Sequence, residues 1–438
     1  MLENSNEPLL YLRFGIQRKK AFLKDIRQAY DGLVLPANIL LYQYRSTPTV
    51  VLMCDKPFFV DPMSYLFGQP YEAFKTRVKK GSAFKPSFRR LLAGHGLAHE
   101  SFLKVPYTAL LSFLSEDDKN LHQFVDNALD FQSNRVGNTI RDADELVTAE
   151  QRAAIERMQF SPSLVIPPYF LYSENSPDKN LIWSLNAKIL DYCAKGAAGR
   201  SVFPLVFVDR FDLGRTGLTA AVRQATDRSF PGYCLWIAGF DERFATREEA
   251  VALVETVKKL AAGGAQVVML FGGFFSLLLK KFGLSCVSHG LAYSESRALE
   301  ASASQTSGPA PVRYYVLELH RFLTLEDSLL VLRERPELLC SCPVCRRVLQ
   351  GDPERVTLFS GQEELAEMHF LHTRQLERRM IANSSLDELV AQLEWARTLV
   401  LGIDKIMKPV SRDGQVAGER PILSLDYLKN WKEALAGR

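Results

Sequence analysis

The sequence predicts an α/β protein built on a TIM-type (β/α)8 barrel over residues 1–325, with a helical, basic insertion at 63–160 and a helical C-terminal subdomain at 326–438. Short apolar runs rich in β-branched and aromatic residues alternate with helical periods, the pattern of parallel strands buried on both faces. No G-x-G-x-x-G follows the first strand candidate, which argues against a dinucleotide-binding open sheet. The C-terminal subdomain is set apart by Cys340-Ser341-Cys342-Pro343-Val344-Cys345, three of the chain's seven cysteines.

In chain order the strand candidates are residues 9–14, 32–41, 50–60, 163–171, 202–209, 233–240, 266–271, 285–291 and 314–319. Buried parallel strands give such apolar runs. Between the later ones lie amphipathic helix candidates at 183–195, 246–262 and 275–282. The insertion at 63–160 is too long for an ordinary barrel loop. Within it Arg77, Lys79, Lys80, Lys85, Arg89 and Arg90 interleave with Phe84 and Phe88 after Phe74. Basic residues alternating with aromatics suit a phosphate backbone and stacked bases, and equally a solvated helical face. Residues 298–311 are poor in bulky side chains and read as a mobile loop at the barrel mouth.

A chain of 438 residues, 47% hydrophobic and 24% charged, has the composition of a folded globular protein rather than a disordered one. A net charge of +4 is too small at this size to single out a partner. No transmembrane span or signal peptide is read. Cys54, Cys193, Cys234 and Cys286 are scattered singly in apolar runs, the usage of a reducing cytoplasm.

The C-x-C-x-x-C spacing is that of thiolates converging on tetrahedral zinc, Pro343 favouring the tight loop this requires. The fourth ligand is expected on a helical pattern at 362–379, where His369 and His372 share a face, and His372 is the expected one. Four protein ligands close the sphere, so the zinc is structural.

In a barrel, chemistry sits where strands end. Asp61 follows the run Phe58-Phe59-Val60 and is the leading acid/base candidate, with a helix cap ahead of Pro62 as its other reading. Asp209, beside Arg210, closes one later strand and Asp241-Glu242 another, the latter pair reading as loop solvation ahead of the helix that starts at Thr246; Asp212 and Glu295 lie in strand-end loops. Gly239, Gly272 and Gly273 permit close approach of a flat ligand or simply turn the chain. His289 is a barrel-mouth residue able to hydrogen-bond or exchange a proton.

Taken in order, Leu35-Pro36-Ala37-Asn38, the strand ending in Asp61, Leu270-Phe271-Gly272-Gly273, Phe282-Gly283-Leu284-Ser285 and the cysteine motif with its helical histidine resemble the tRNA-guanine transglycosylase family. That family includes relatives that place 7-deazaguanines in DNA. The resemblance spans residues 9–62 and 163–400. It implies a pentosyltransferase: an aspartate attacks C1′ of the ribose, guanine leaves, and a deazapurine enters through the covalent intermediate. On this mapping Asp61 handles protons, Gly239 contacts the base, and Cys340, Cys342, Cys345 and His372 hold zinc. The position of the family's nucleophilic aspartate is Ser285. Asp209, Asp212 or Asp241 would have to replace it, or His289 activate Ser285. Two expectations follow: a divergent transglycosylase acting on tRNA or DNA, or a catalytically degenerate barrel that binds nucleic acid or a deazapurine. Assembly is expected either as a homodimer or, on the second reading, as a heterodimer with an active paralogue.

Overall fold

The computed structural model describes residues 2, 5–15, 22–23, 26–42, 51, 54–69, 74–78, 81–97, 108–135, 161–196, 200–291, 295, 311–400 and 426–437. At its centre is a curled, all-parallel sheet of seven strands: β1 (Leu9–Arg13), β2 (Gly32–Pro36), β3 (Phe58–Asp61), β6 (Leu205–Asp209), β7 (Gly232–Ala238), β8 (Gln266–Leu270) and β9 (Leu284–His289). The order is β3-β2-β1-β9-β8-β7-β6, so the first strand of the chain pairs with the last of the sheet. Strands such as β1, β2 and β7 are buried at every position, which is why their sequences run apolar without alternation. Isolated parallel bridges join Val60 to Val165, Val165 to Val202 and Tyr172 to Val208, setting the segment around 165–172 between the edge strands β3 and β6.

The expected strand boundaries shift where a local signal outweighs apolar character. The 32–41 run splits into β2 and a helix, α1 (Ala37–Tyr42). Val51 and Cys54 are helical, and the strand expected from residue 50 begins at Phe58. The 163–171 run, broken by Pro167-Pro168, forms only isolated bridges, since proline cannot donate to a ladder. The 314–319 run is not a barrel strand: it forms a hairpin, β10 (Arg313–Val316) with β11 (Arg321–Thr324), turned at His320 with φ 50°.

The described part of the insertion contains a second hairpin, β4 (Lys75–Val78) with β5 (Gly81–Phe84), and helices α2 (Pro86–Gly94), α3 (Thr108–Glu116) and α4 (Asp118–Asp130). Its aromatics are core: Phe74 stacks on Phe88 at 4.5 Å, Phe84 meets Phe88 edge-on at 5.1 Å, and all three are buried. They are therefore not offered for base stacking. Arg89 and Arg90 are exposed, and Arg90 donates to the Leu41 and Tyr42 carbonyls. Lys79, Lys80 and nearly all of 298–311 lie outside the described residues.

Helices α5 (Lys179–Gly196), α6 (Thr216–Thr226), α7 (Arg247–Ala261) and the short α8 (Phe274–Leu278) connect the later strands. A Thr246/Glu249 capping box starts α7. The C-terminal region adds α9 (Leu325–Glu334), α10 (Pro343–Val348), α11 (Glu363–Asn383), α12 (Leu386–Val400) and α13 (Asp426–Ala436). It is bonded to the sheet at both strand ends: Arg378 on α11 donates to the Pro8 carbonyl at 2.7 Å and pairs with Asp31, while Arg374 pairs with Glu295 beyond β9. No described helix is long and apolar enough to cross a membrane.

A candidate metal centre and a strand-end polar site

Cys340, Cys342 and Cys345 converge with His369, their ligand atoms all within 4.8 Å of one another. Cys342 caps α10, its sulfur accepting from Cys345 N at 3.4 Å, with Pro343 in the first turn. His369 Nδ1 lies 3.5 Å from the Cys342 sulfur and 3.3 Å from that of Cys345. Its Nε2 donates to the Tyr315 carbonyl at 2.7 Å, so Nδ1, which faces the thiols, is the nitrogen that would give up its proton to ligate a metal. Burial works against a charged His369, yet the Cys340 and Cys342 sulfurs raise it to about 9. The donor set and tautomer fit a closed tetrahedral metal site.

The histidine is His369, not the expected His372. At about 100° per residue, positions three apart on a helix differ by some 60° in direction. Sharing a face therefore did not decide between them. His369 is fully buried and stacks on Tyr314 at 4.3 Å, while His372 is only half-buried.

Asp61 is fully buried at the end of β3. Oδ2 accepts from Arg13 at 2.5 Å, and Oδ1 accepts from Tyr169 Oη at 2.6 Å and Met63 N at 2.9 Å. Burial first, then the Asp61 charge, pushes the Tyr169 hydroxyl well up, so it stays a donor. Both carboxylate oxygens are thus engaged, one by a guanidinium. The proline-cap reading is half right: Asp61 bonds the second residue on, and that residue, Met63, has φ 54°. Phe271, over which the Arg13 guanidinium lies at 4.7 Å, has φ 61°. Left-handed backbone at non-glycine residues costs on the order of 1–3 kcal/mol and clusters at functional sites.

The ends of β7, β8 and β9 meet a second buried network. Asp241 forms a two-pronged pair with Arg243. Burial opposes its charge, but Arg243 hydrogen bonds hold it below the ordinary carboxylate range. Glu242, read from sequence as loop solvation beside Asp241, is instead buried, accepting from Gly273 N at 2.8 Å, Phe275 N at 2.9 Å, Ser276 N at 3.0 Å and the Ser276 hydroxyl. A β-carbon at Gly273 would stand 2.8 Å from Glu242 Oε2, and one at Gly272 2.5 Å from Ser276. Both glycines serve this packing.

Arg374 binds Glu295 and, at 2.6 Å, Glu377, which also accepts from Tyr315 Oη and meets His320 Nδ1, each at 2.7 Å. Burial raises Glu295 to about 7, against the pull of Arg374. His289 belongs to this side: its ring lies 5.3 Å from Phe370, Nδ1 donates to the Gly290 carbonyl, and burial, then Arg374, lowers it to about 3. It is neutral and a weak base.

The remaining candidates are not gathered there. Asp209 caps the turn after β6, accepting from Phe211 N at 2.8 Å. Asp212 is buried, within 3.3 Å of Glu174 N, and burial raises it. Gly239 has φ 72° and open space where a β-carbon would stand. Ser285 sits near the start of β9, its hydroxyl accepting from Val267 N at 3.3 Å, at the opposite end of the sheet from Asp61. His289 closes the same strand. Four residues of strand span about 13 Å, so His289 cannot activate Ser285.

Sequence reasoning missed Arg13, Tyr65, Tyr169, Trp236, Arg374 and Glu377. Arg13 and Trp236 carried a readable signal, a cation and an indole within apolar strands. Fold and site together define an α/β protein with a curled parallel sheet, a buried Cys3His centre and a carboxylate–guanidinium pair at the strand ends. No protein-family model and no curated protein sequence matches the chain.

Proposed function

We propose that the sheet is a (β/α)8 barrel closed through residues 165–172, that the Cys3His centre holds structural zinc, and that the strand ends bind a purine-type base without exchanging it. The bridges of Val165 to both Val60 and Val202 support closure. Three sulfurs and one imidazole nitrogen are a donor set that favours zinc over hard cations. On this reading the protein is a catalytically degenerate relative of tRNA-guanine transglycosylases, taking a 7-deazaguanine or an unpaired base of tRNA or DNA. Seven unpaired cysteines suit a reducing cytoplasm.

The observation that carries the loss of exchange is the arrangement around Asp61. The carboxylate assigned to proton handling spends both oxygens on Arg13, Tyr169 and Met63. The residue at the nucleophile position, Ser285, is at the far end of its strand with no activating base beside it among the described residues. Binding without turnover is the role of a recognition subunit, such as the partner of an active paralogue.

The test is incubation with labelled guanine and, separately, tRNA and duplex DNA, following incorporation and any adduct on a denaturing gel. Binding with neither incorporation nor adduct is expected. Incorporation abolished by Asp61→Ala would establish a working transglycosylase instead.

A further inference from the structure

Asp61, Arg13, Phe271, Trp236, Tyr65 and Tyr169 form a closed ring of contacts. Arg13 and Tyr169 bond Asp61, Arg13 lies over Phe271 at 4.7 Å, and Phe271 meets Trp236 at 4.9 Å. Trp236 meets Tyr65 at 5.0 Å, and Tyr65 stacks on Tyr169 at 5.9 Å. Three of these side chains hold a buried polar atom with no partner among the described residues: Arg13 Nη1, Tyr65 Oη and Trp236 Nε1. Arg13 is 9% exposed, Tyr65 1% and Trp236 0%. A buried donor left unpaired is costly, and this contact ring gathers three of them.

The chemistry of the three is one-sided. Guanidinium and indole nitrogens only donate, and a phenol donates readily. The acceptor in the ring, Asp61, is already spent. Guanine can accept at O6, but its pairing edge also carries N–H donors, for which the Tyr65 phenol oxygen is the acceptor left in the ring, so a ligand carrying acceptors alone satisfies the three donors more fully. A ligand that satisfies the ring must bring acceptors, between flat aromatic walls.

Building on the strand-end binding reading above, we propose that this ring is the binding site for a planar heteroaromatic carrying an oxyanion substituent, either a ring carboxylate or the phosphate of a nucleotide. Arg13 Nη1, Tyr65 Oη and Trp236 Nε1 donate to the oxyanion, and the aromatic side chains flank the ring. Asp61 is a positioning residue: it fixes one edge of the Arg13 guanidinium and leaves the other to the ligand.

The test is calorimetric titration of the full chain with purine-6-carboxylate, inosine 5′-monophosphate, unsubstituted purine and guanine. One of the two oxyanion probes is expected to bind at least ten-fold more tightly than purine, and which one does identifies the source. Tyr65→Phe and Trp236→Phe are each expected to weaken that probe about ten-fold. Because the Tyr65 hydroxyl has no partner among the described residues, Tyr65→Phe should leave the thermal midpoint of the free protein unchanged or raised while lowering the shift the probe produces. A hydroxyl with a merely structural role would lower the midpoint. Guanine or purine binding as tightly as the oxyanion probes, with both variants indifferent, overturns this assignment and leaves base binding standing. Failure of all four probes together with tRNA and DNA overturns both.

Discussion

Replacing Arg374 with methionine isolates the largest electrostatic commitment in the C-terminal region. The side chain is fully buried, binds Glu295 and Glu377, and lies 5.3 Å above Tyr315 and 4.9 Å above Phe370. Methionine keeps much of the apolar stem, so the change removes chiefly the guanidinium. Glu377 would keep Tyr315 Oη and His320 Nδ1, whereas Glu295 would lose the only hydrogen-bond partner described for it. Removing one partner from a buried pair typically costs about 3–5 kcal/mol, because a desolvated charge is left behind. The retained bonds of Glu377 place the expectation toward the lower end, about 3 kcal/mol. Urea denaturation of wild type and Arg374→Met, followed by far-ultraviolet circular dichroism, reads this loss. Arg374→Met/Glu295→Gln should recover part of it, since the orphaned charge is then gone. A loss below about 1 kcal/mol, with no recovery in the double variant, would refute the claim that Arg374 bridges these carboxylates in a water-free site.

Two further outcomes follow from the same chemistry. Glu295 is raised from 4.5 to about 7, so the folded state binds its proton more tightly than the unfolded one; its stabilising contribution is present below about pH 4.5 and lost as pH rises through 7. Thermal midpoints of Glu295→Gln should therefore fall less between pH 4.5 and 7 than those of wild type, and parallel curves would count against that burial. At the Cys3His cluster, the proposed structural zinc predicts that purified protein releases one zinc per chain to a chromophoric chelator, and that Cys342→Ser or His369→Ala binds it far more weakly while His372→Ala binds normally. Metal loss in His372→Ala alone would reverse the ligand assignment.

The alternation of apolar runs with helices announced the parallel strands, because a strand buried on both faces has little choice of residue. Boundaries were less legible: Ala37 to Leu41 is as apolar as β2, yet it turns helical. The C-x-C-x-x-C cluster was plain, since adjacent ligands constrain one another locally. The fourth ligand depended on how α11 is rotated against the β10–β11 hairpin, which no spacing within the helix encodes. Asp61 was visible as a carboxylate closing an apolar strand. Its occupation by Arg13 and Tyr169 was not, because those partners are 48 and 108 residues away and meet it only through the curl of the sheet. Glu242 was misjudged for the same reason: its four donors belong to residues 273–276, one strand on.

The pairing of β1 with β9 also governs how this protein is made. Until residues 284–289 have left the ribosome, the edge of β1 that they will cover carries unpaired backbone groups. At ordinary synthesis rates that interval lasts on the order of tens of seconds, long compared with local helix or hairpin formation. Through it Arg378 has not yet been added to close on the Pro8 carbonyl, and Gln266, which bonds the backbone of Leu2, arrives only near its end. The N-terminal strand thus waits for the far half of the chain, leaving its exposed edge open to mispairing with a neighbour.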